Sequence, residues 1–325
     1  MLGSLPPYSS TRLPPTLQPI RQSCQSPISS ASTEPRKKVT IKTLQSLHRR
    51  GEPIAVLTAT DFPSGHVAEA AGIEVVLVGD SLAMVALGMD DTNSITMDEI
   101  LVHCRSVSRA VKSAFTIGDL PMGSYECSPQ QALQSAIRMV KEGGMKAIKL
   151  ECDAEMAPTV RCITTAGIPV MAHIGLTPQR QHSIGGFRVQ GKTVAGAAKV
   201  LEDAKAVQEA GAFMILIEAV PAEVAAIVTR QLQVPTIGIG SGNGCSGQVL
   251  VQLDMLGNFP EGRHVPRFVK TFADVWGEAK RGVERYKKEV KGREFPSEEY
   301  TYPVSKEDLE EFETLVRDIP DGSRN

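Results

Sequence analysis

Four carboxylates recur in this chain at one kind of place. Asp80, Asp119, Glu151 and Glu218 each stand at or just beyond the end of a short apolar run. The contexts are Val78-Gly79-Asp80-Ser81, Ile117-Gly118-Asp119, Ile148-Lys149-Leu150-Glu151 and Leu216-Ile217-Glu218. A fifth run closes on Ala172-His173. Gathering four acids in one cavity costs free energy through repulsion and lost hydration. A divalent cation offsets that cost, and oxygen ligands without cysteine favour Mg²⁺ over zinc. Lys149 and Glu151 are two residues apart, so in a strand they face the same side. A lysine among carboxylates suits an anionic substrate, such as another carboxylate.

Each of these residues has a plainer reading when taken alone. An aspartate after a strand also serves as the N-cap of the next helix, which applies to Asp80 and Asp119. Glu218 could pair with a surface cation, and His173 could be a satisfied core histidine. The case for a shared site rests on several strand ends carrying acids together.

Placing those ends together requires a particular architecture. The apolar runs are Ile54–Thr58, Val75–Gly79, Phe115–Asp119, Ala147–Glu151, Pro169–His173, Phe213–Glu218, Thr236–Gly240 and Val249–Leu253. Each is nearly all apolar, as parallel strands buried on both faces must be. Helical spacing fills most of the gaps between them. Ser128-Pro129 starts one helix, with Ala132, Leu133, Ala136, Ile137 and Val140 expected on one face. Val200, Leu201, Ala204 and Val207 mark another, closed by Gly211. Alternating units of this kind define α/β structure, and eight of them predict a closed (β/α)8 TIM barrel. In such a barrel the active site lies at the C-terminal ends of the strands. Ser241 to Gln248 is too short for a full helix, so the last unit is expected to be irregular. Beyond the barrel, Asp274 to Lys291 reads as an amphipathic helix. Ser305-x-x-Asp308 opens a last helix with Leu309, Phe312, Val316 and Ile319 on one face.

Gly238-Ile239-Gly240-Ser241-Gly242-Asn243-Gly244 contains GxGxG but lacks the rest of a dinucleotide fingerprint. Its glycines are expected to let a loop turn tightly near a ligand. Gly185-Gly186-Phe187 is a second candidate loop over the site.

Bulk properties narrow the function classes. With 325 residues, 42% hydrophobic, the chain can hold one large barrel core. It has 35 basic and 37 acidic residues and no basic stripe, which argues against nucleic acid. No run of eighteen apolar residues is present, so no membrane span is expected. Cys24, Cys104, Cys127, Cys152, Cys162 and Cys245 form no CxxC pair, which suits reduced thiols inside a cell. Residues 1–38 read as a disordered targeting segment. Seven prolines, eight serines, Arg12, Arg21 and the lone acid Glu34 fill the first thirty-five positions. That composition suits a mitochondrial transit peptide, with a cytoplasmic protein carrying a plain tail as the alternative. The barrel is assigned to 39–296 and an acidic helical tail to 297–325.

Several stretches together resemble the ketopantoate hydroxymethyltransferase family. They are Val78-Gly79-Asp80-Ser81-Leu82, Asp119-Leu120-Pro121, Lys149-Leu150-Glu151, His173-Ile174-Gly175-Leu176-Thr177-Pro178-Gln179, GGFRVQG from Gly185, and Gly238-Ile239-Gly240. The resemblance runs from about Val39 to Pro296. It implies a barrel of the phosphoenolpyruvate/pyruvate type, a Mg²⁺ cofactor and a homo-oligomer, decameric in the family. It implies transfer of a one-carbon unit from 5,10-methylenetetrahydrofolate to 3-methyl-2-oxobutanoate, giving 2-dehydropantoate for pantothenate biosynthesis. By motif, Asp80 and Asp119 would hold the metal, directly or through water, with Glu151 completing its shell. Ser81 and Lys149 would bind the oxo acid alongside the two aspartates, and Glu218 matches the family's catalytic base. His173 is carried as a supporting residue. One departure is visible: Cys245-Ser246-Gly247-Gln248 has serine where many bacterial members carry aspartate.

Two rival readings make different demands. An isocitrate-lyase-like Mg²⁺ enzyme would carry a KKCGH-type loop, and the chain contains none. A non-catalytic barrel scaffold would be expected to have lost rim acids, and all are present.

Overall fold

The computed structural model describes residues 36–318. The targeting expectation falls almost wholly outside that range. In chain order the first half of the barrel is α1 Ile41–Arg49, β1 Ile54–Thr58, α2 Phe62–Ala70, β2 Val75–Val78, α3 Leu82–Val85, α4 Met97–Ala110, β3 Phe115–Asp119, α5 Pro129–Lys141 and β4 Ala147–Glu151. The second half is α6 Ala157–Thr165, β5 Val170–Gly175, α7 Gln181–Ile184, α8 Val194–Glu209, β6 Met214–Glu218, α9 Ala222–Arg230, β7 Thr236–Ile239, β8 Gly247–Leu250 and α10 Gln252–Met255. Two further helices follow, α11 Val275–Gly292 and α12 Lys306–Asp318.

The eight strands form one closed, all-parallel barrel in sequence order, with β8 pairing back onto β1. Alternation along each strand divides the apolar residues into two cores. Ile54, Val56, Val75, Leu77, Phe115, Ile117, Met171, Met214, Leu216, Ile237 and Val249 point inward and fill the barrel. Val76, Val78, Ile148, Leu150, Ala172, Ile174, Ile215 and Ile217 point outward under the helices. Fully burying one such Ile or Val contributes about 1.5–3 kcal/mol. Following the inward parity toward the strand ends leads from Ile117 to Asp119, from Ala147 to Lys149 and Glu151, from Met171 to His173, and from Leu216 to Glu218. The polar residues therefore form the top layer of the same stack.

Local signals explain the helices. Ser128 caps α5, accepting from the Gln131 N–H at 3.1 Å, and Pro129 takes the first helical turn. Arg138 and Lys141 in the last turn oppose the helix dipole. The buried stripe of α5 differs from expectation: Ala132, Ser135, Ala136 and Met139 face the core, and Ile137 is exposed. Ser135 is tolerated there because its hydroxyl donates to the Ser124 carbonyl at 2.6 Å.

Other boundaries also move. β5 continues two residues past His173, to Gly175. β8 begins at Gly247, two residues before the expected Val249. No helix lies between β7 and β8, as the short spacing required. Gly240 and Gly242 turn tightly as expected, with φ of 64° and 72°, and the connection carries a second constraint. A Cβ at Gly242 or Gly244 would lie 2.4 Å from Ala222 Cβ or 2.6 Å from Ala226 Cβ. Helix α9 packs directly on this loop, and its close approach also requires glycine there.

α12 opens as expected on Ser305, whose hydroxyl accepts from the Asp308 N–H at 3.0 Å. The Ser305 hydroxyl in turn donates to Asp308 Oδ2, where in a full capping box that carboxylate would accept from the backbone N–H. Leu309, Phe312 and Val316 lie exposed on this helix, and Ile319 falls outside the described residues. The five described cysteines are free, and no helix among the described residues is long and apolar enough to cross a membrane.

Candidate active site

Register brings the polar layer together. Asp119 pairs with Lys149 across β3 and β4, Glu151 with His173 across β4 and β5, and Gly175 with Glu218 across β5 and β6. The Lys149 ammonium donates to Asp119 Oδ2 at 2.5 Å, with both side chains fully buried. The backbone N–H of Asp80 donates to that same oxygen at 3.1 Å. Asp119 Oδ1 is also buried and has no hydrogen-bond partner. Across the layer, His173 Nε2 lies 3.2 Å from Glu218 Oε2 and its Nδ1 lies 3.9 Å from Glu151 Oε1. Neither ring nitrogen makes a well-formed hydrogen bond.

The plainer readings of these residues do not survive the geometry. No helix follows Asp119 until α5, and the Asp80 carboxylate accepts from a side chain, Gln179, at 2.8 Å. Neither aspartate is an N-cap. Glu218 turns into the barrel toward His173 and has no surface cation. His173 is buried but unsatisfied, unlike an ordinary core histidine. Ser81 opens α3 without capping it, which leaves its hydroxyl available. A Cβ on Gly79 would lie 3.4 Å from Ser81 Oγ and 3.8 Å from Asp119 Oδ2, so Gly79 keeps open the space between them.

Charge in this layer is unbalanced. Four carboxylates face one ammonium, and burial dominates their behaviour. Burial pushes Asp119 up to about 8; Lys149 opposes the shift and Asp80 adds to it. Burial also pushes Glu218 up to about 8, again with Lys149 opposing and Asp80 adding. Glu151 is raised well above the ordinary carboxylate range by burial and by Asp80. His173 is held well below its usual value by burial and by the charge of Lys149, so its imidazole is neutral. Burial alone would discharge Lys149, but Asp119, Asp80 and Glu151 hold it protonated above its ordinary range.

An uncompensated acidic cluster with an orphaned Asp119 oxygen fits a divalent cation. Among the described residues no three Asp, Glu, His or Cys side chains converge into a complete metal cage. Mg²⁺ is commonly held by one or two carboxylates with waters and substrate oxygens. Asp80 and Asp119 are the two carboxylates that the sequence motifs offer for it.

Backbone geometry adds a further feature. Ala219, directly after Glu218, has φ of 48°, in the left-handed region that non-glycine residues avoid. Its N–H donates to the Ile239 carbonyl at 2.9 Å and its carbonyl accepts from Gln190 at 2.9 Å. Such strain, costing on the order of 1–3 kcal/mol, concentrates at functional sites. Gly175, with φ of +87°, leaves room for the Glu218 carbonyl, which would lie 2.5 Å from an added Cβ.

Two residues at the site were given no role from sequence. Gln179 is buried and reaches both Asp80 and Glu151, and Tyr125 donates to Gln179 Oε1 at 2.6 Å. Gln179 lies within a recognised motif, but a glutamine carries no sign that it will be buried among carboxylates.

A parallel eight-stranded barrel with a lysine, a histidine and four acids on its C-terminal rim defines a class of α/β-barrel proteins. Solved structures agree on the fold. A phosphonopyruvate hydrolase, determined as a complex with oxalate and Mg²⁺, is similar with a TM-score of 0.51 and 15% identity, covering 85% of this chain and 96% of that one. A 2,3-dimethylmalate lyase, described as a PEP mutase/isocitrate lyase superfamily member, is similar with a TM-score of 0.52 and 14% identity, over 85% and 98%.

Sequence comparison then narrows the class to one family. The family model described as ketopantoate hydroxymethyltransferase matches residues 38–298, and the chain belongs to that family. A 3-methyl-2-oxobutanoate hydroxymethyltransferase of Emericella nidulans is 65% identical over 93% of this chain and 86% of its own length. One from Oleidesulfovibrio alaskensis is 47% identical over 82% and 92%. A rice relative, 3-methyl-2-oxobutanoate hydroxymethyltransferase 2, mitochondrial, is 49% identical over 85% and 70%.

Proposed function

We propose that this chain transfers a one-carbon unit from 5,10-methylenetetrahydrofolate to C3 of 3-methyl-2-oxobutanoate, giving 2-dehydropantoate for pantothenate biosynthesis. The observation that carries the reading is Glu218: a carboxylate only 16% exposed and pushed up to about 8, in the polar layer that also holds Lys149, Asp80 and Asp119. A general base works best with a pKa near the operating pH, and this one is tuned toward it by burial.

The remaining residues divide the work. Lys149 and Ser81 bind the carboxylate and keto oxygens of the oxo acid, with the two aspartates beside them. Mg²⁺, held by Asp80 and Asp119 with Glu151 completing its surroundings, would supply Lewis-acid stabilisation of the enolate oxygen. Glu218 takes the C3 proton. The one-carbon unit exchanges its two bonds to folate nitrogens for one bond to C3 and one to an oxygen supplied by water. The C3 proton taken by Glu218 and one proton from water go to those nitrogens, and tetrahydrofolate leaves. His173, neutral and 3.2 Å from Glu218, stands beside the base as a supporting residue.

Placement in the cell and assembly belong to the same reading. We take residues 1–38 as a mitochondrial targeting segment, which the mitochondrial naming of the rice and Arabidopsis thaliana relatives supports. The tail 297–325 is an appendage to the barrel 39–296. A homo-oligomer would cover the apolar stripe of α11, where Val283 is 67% and Tyr286 57% exposed. The reading is tested by desalting the protein and supplying 3-methyl-2-oxobutanoate, 5,10-methylenetetrahydrofolate and Mg²⁺. Formation of 2-dehydropantoate that stops on removing the metal is expected. No product in any combination would contradict it.

A further inference from the structure

Gln179 occupies an unusual position in the acidic layer. It is the middle residue of the turn Pro178–Arg180, just past β5, and is 2% exposed. Its side-chain amide donates to Asp80 Oδ2 at 2.8 Å and to the Leu120 carbonyl at 3.1 Å. Its backbone N–H is shared between both oxygens of Glu151 at 3.2 Å each. One residue thus supplies donors to two acids that belong to different strands. The segment that follows Asp119 is also tied in, through Leu120.

A glutamine can do this only if its amide is held the right way round. Flipped by 180°, it would present its oxygen to the Asp80 carboxylate, a repulsive contact. Tyr125 prevents the flip. Its buried phenol donates to Gln179 Oε1 at 2.6 Å. Burial and the nearby Glu151 keep that phenol protonated, so its O–H is available to donate to Oε1. The chain of donation therefore runs one way, from Tyr125 to Gln179 to Asp80.

We propose that Gln179 is a positioning residue for the metal-binding carboxylates, aiming Asp80 and Glu151, and that Tyr125 acts on the site only through Gln179 by fixing its amide orientation. The proposal rests on the reading that Asp80 holds Mg²⁺. Partners that orient metal ligands in this manner typically contribute 10–100-fold in metal affinity or activity. Gln179→Met keeps the volume and removes the donors of the side chain, while the backbone N–H to Glu151 remains. Tyr125→Phe keeps the ring and releases the amide to flip.

The experiment is calorimetric titration of the metal-free full chain with Mg²⁺, for the unsubstituted protein, Q179M, Y125F and the double variant, each first checked for an unchanged circular dichroism spectrum. Q179M is expected to weaken Mg²⁺ binding about 10-fold or more, and Y125F by less. In the double variant, Y125F adds nothing to Q179M, because its effect passes through the amide that Q179M has removed. Steady-state kinetics should agree, with the Mg²⁺ concentration for half-maximal rate raised more than kcat is lowered. Mg²⁺ affinity unchanged in a folded Q179M overturns the proposal. So does a Y125F effect that adds in full to Q179M, which would make Tyr125 an independent structural residue. Should Q179M not fold, Y125F carries the test alone: unchanged affinity and unchanged half-maximal Mg²⁺ overturn the proposal. Absence of Mg²⁺ binding in the unsubstituted chain would instead overturn the metal reading itself, and the proposal with it.

Discussion

For Glu218, the proposed general base, the environment sets what substitution should do. Glu218→Gln preserves size and hydrogen bonding but cannot accept a proton. It is expected to keep Mg²⁺ and oxo-acid binding while losing 10²–10⁴-fold in turnover. Equal loss of oxo-acid affinity, read by titration, would make Glu218 a ligand rather than a base. Asp80→Ala and Asp119→Ala should each weaken Mg²⁺ binding, and an unchanged titration in both would remove the metal assignment. At this scale the sequence was informative about acids and nearly silent about amides. Strand-end carboxylates stand out because burying them without compensation is so costly. Gln179 and Tyr125 carry no charge, and their role depends on where α/β connections return in space. The neutral state of His173 was likewise invisible, because it follows from burial beside Lys149.

At the scale of elements, the strands were legible because strands buried on both faces must be continuously apolar. β1, β3 and β4 fall where the runs begin and end. β8 was displaced because it starts with Gly247-Gln248, and the Gln248 side chain lies on the exposed side of its strand. The buried face of α5 was misread because spacing alone favoured Ile137 over Ser135, whose hydroxyl finds a carbonyl inside. Two substitutions test these elements. Ser128→Ala removes the cap of α5 and should cost about 1 kcal/mol in denaturant unfolding; no change would mean that another group satisfies those amides. Gly175→Ala places a Cβ 2.5 Å from the Glu218 carbonyl at a φ of +87°. It should lower stability by about 1–3 kcal/mol and reduce turnover, because the base moves with its backbone. A full loss of stability with normal turnover per folded molecule would separate Gly175 from the site.

For the whole molecule, the acidic layer makes stability depend on pH. The folded state holds a proton on Glu218 up to about 8, whereas the unfolded chain releases it near 4.5. Burial raises Asp119 in the same direction. Through that window the folded state binds more protons than the unfolded state, so stability falls as pH rises. The metal-free protein is therefore expected to melt at progressively lower temperature from about pH 5 to about pH 8. Glu218→Gln should flatten part of that slope. Mg²⁺ at a hundred times its dissociation constant should restore about 2.7 kcal/mol, with most effect at the alkaline end. A melting temperature independent of pH, with or without metal, would contradict the electrostatic account. The barrel could be read from eight periodic runs and α11 from its amphipathic spacing, with bounds within one residue of Val275–Gly292. That the apolar stripe of α11, including Val283 and Tyr286, stays exposed becomes visible only once the barrel is closed without it.

The central claim is that Glu218 removes a proton from C3 of 3-methyl-2-oxobutanoate. Proton–deuterium exchange at that carbon, followed by NMR in D₂O, measures this step without folate or turnover. Exchange that requires Mg²⁺, accelerates as pH rises, and disappears in Glu218→Gln while oxo-acid binding persists is the predicted result. Exchange at an unchanged rate in Glu218→Gln, or none from folded, Mg²⁺-supplied protein, would contradict it.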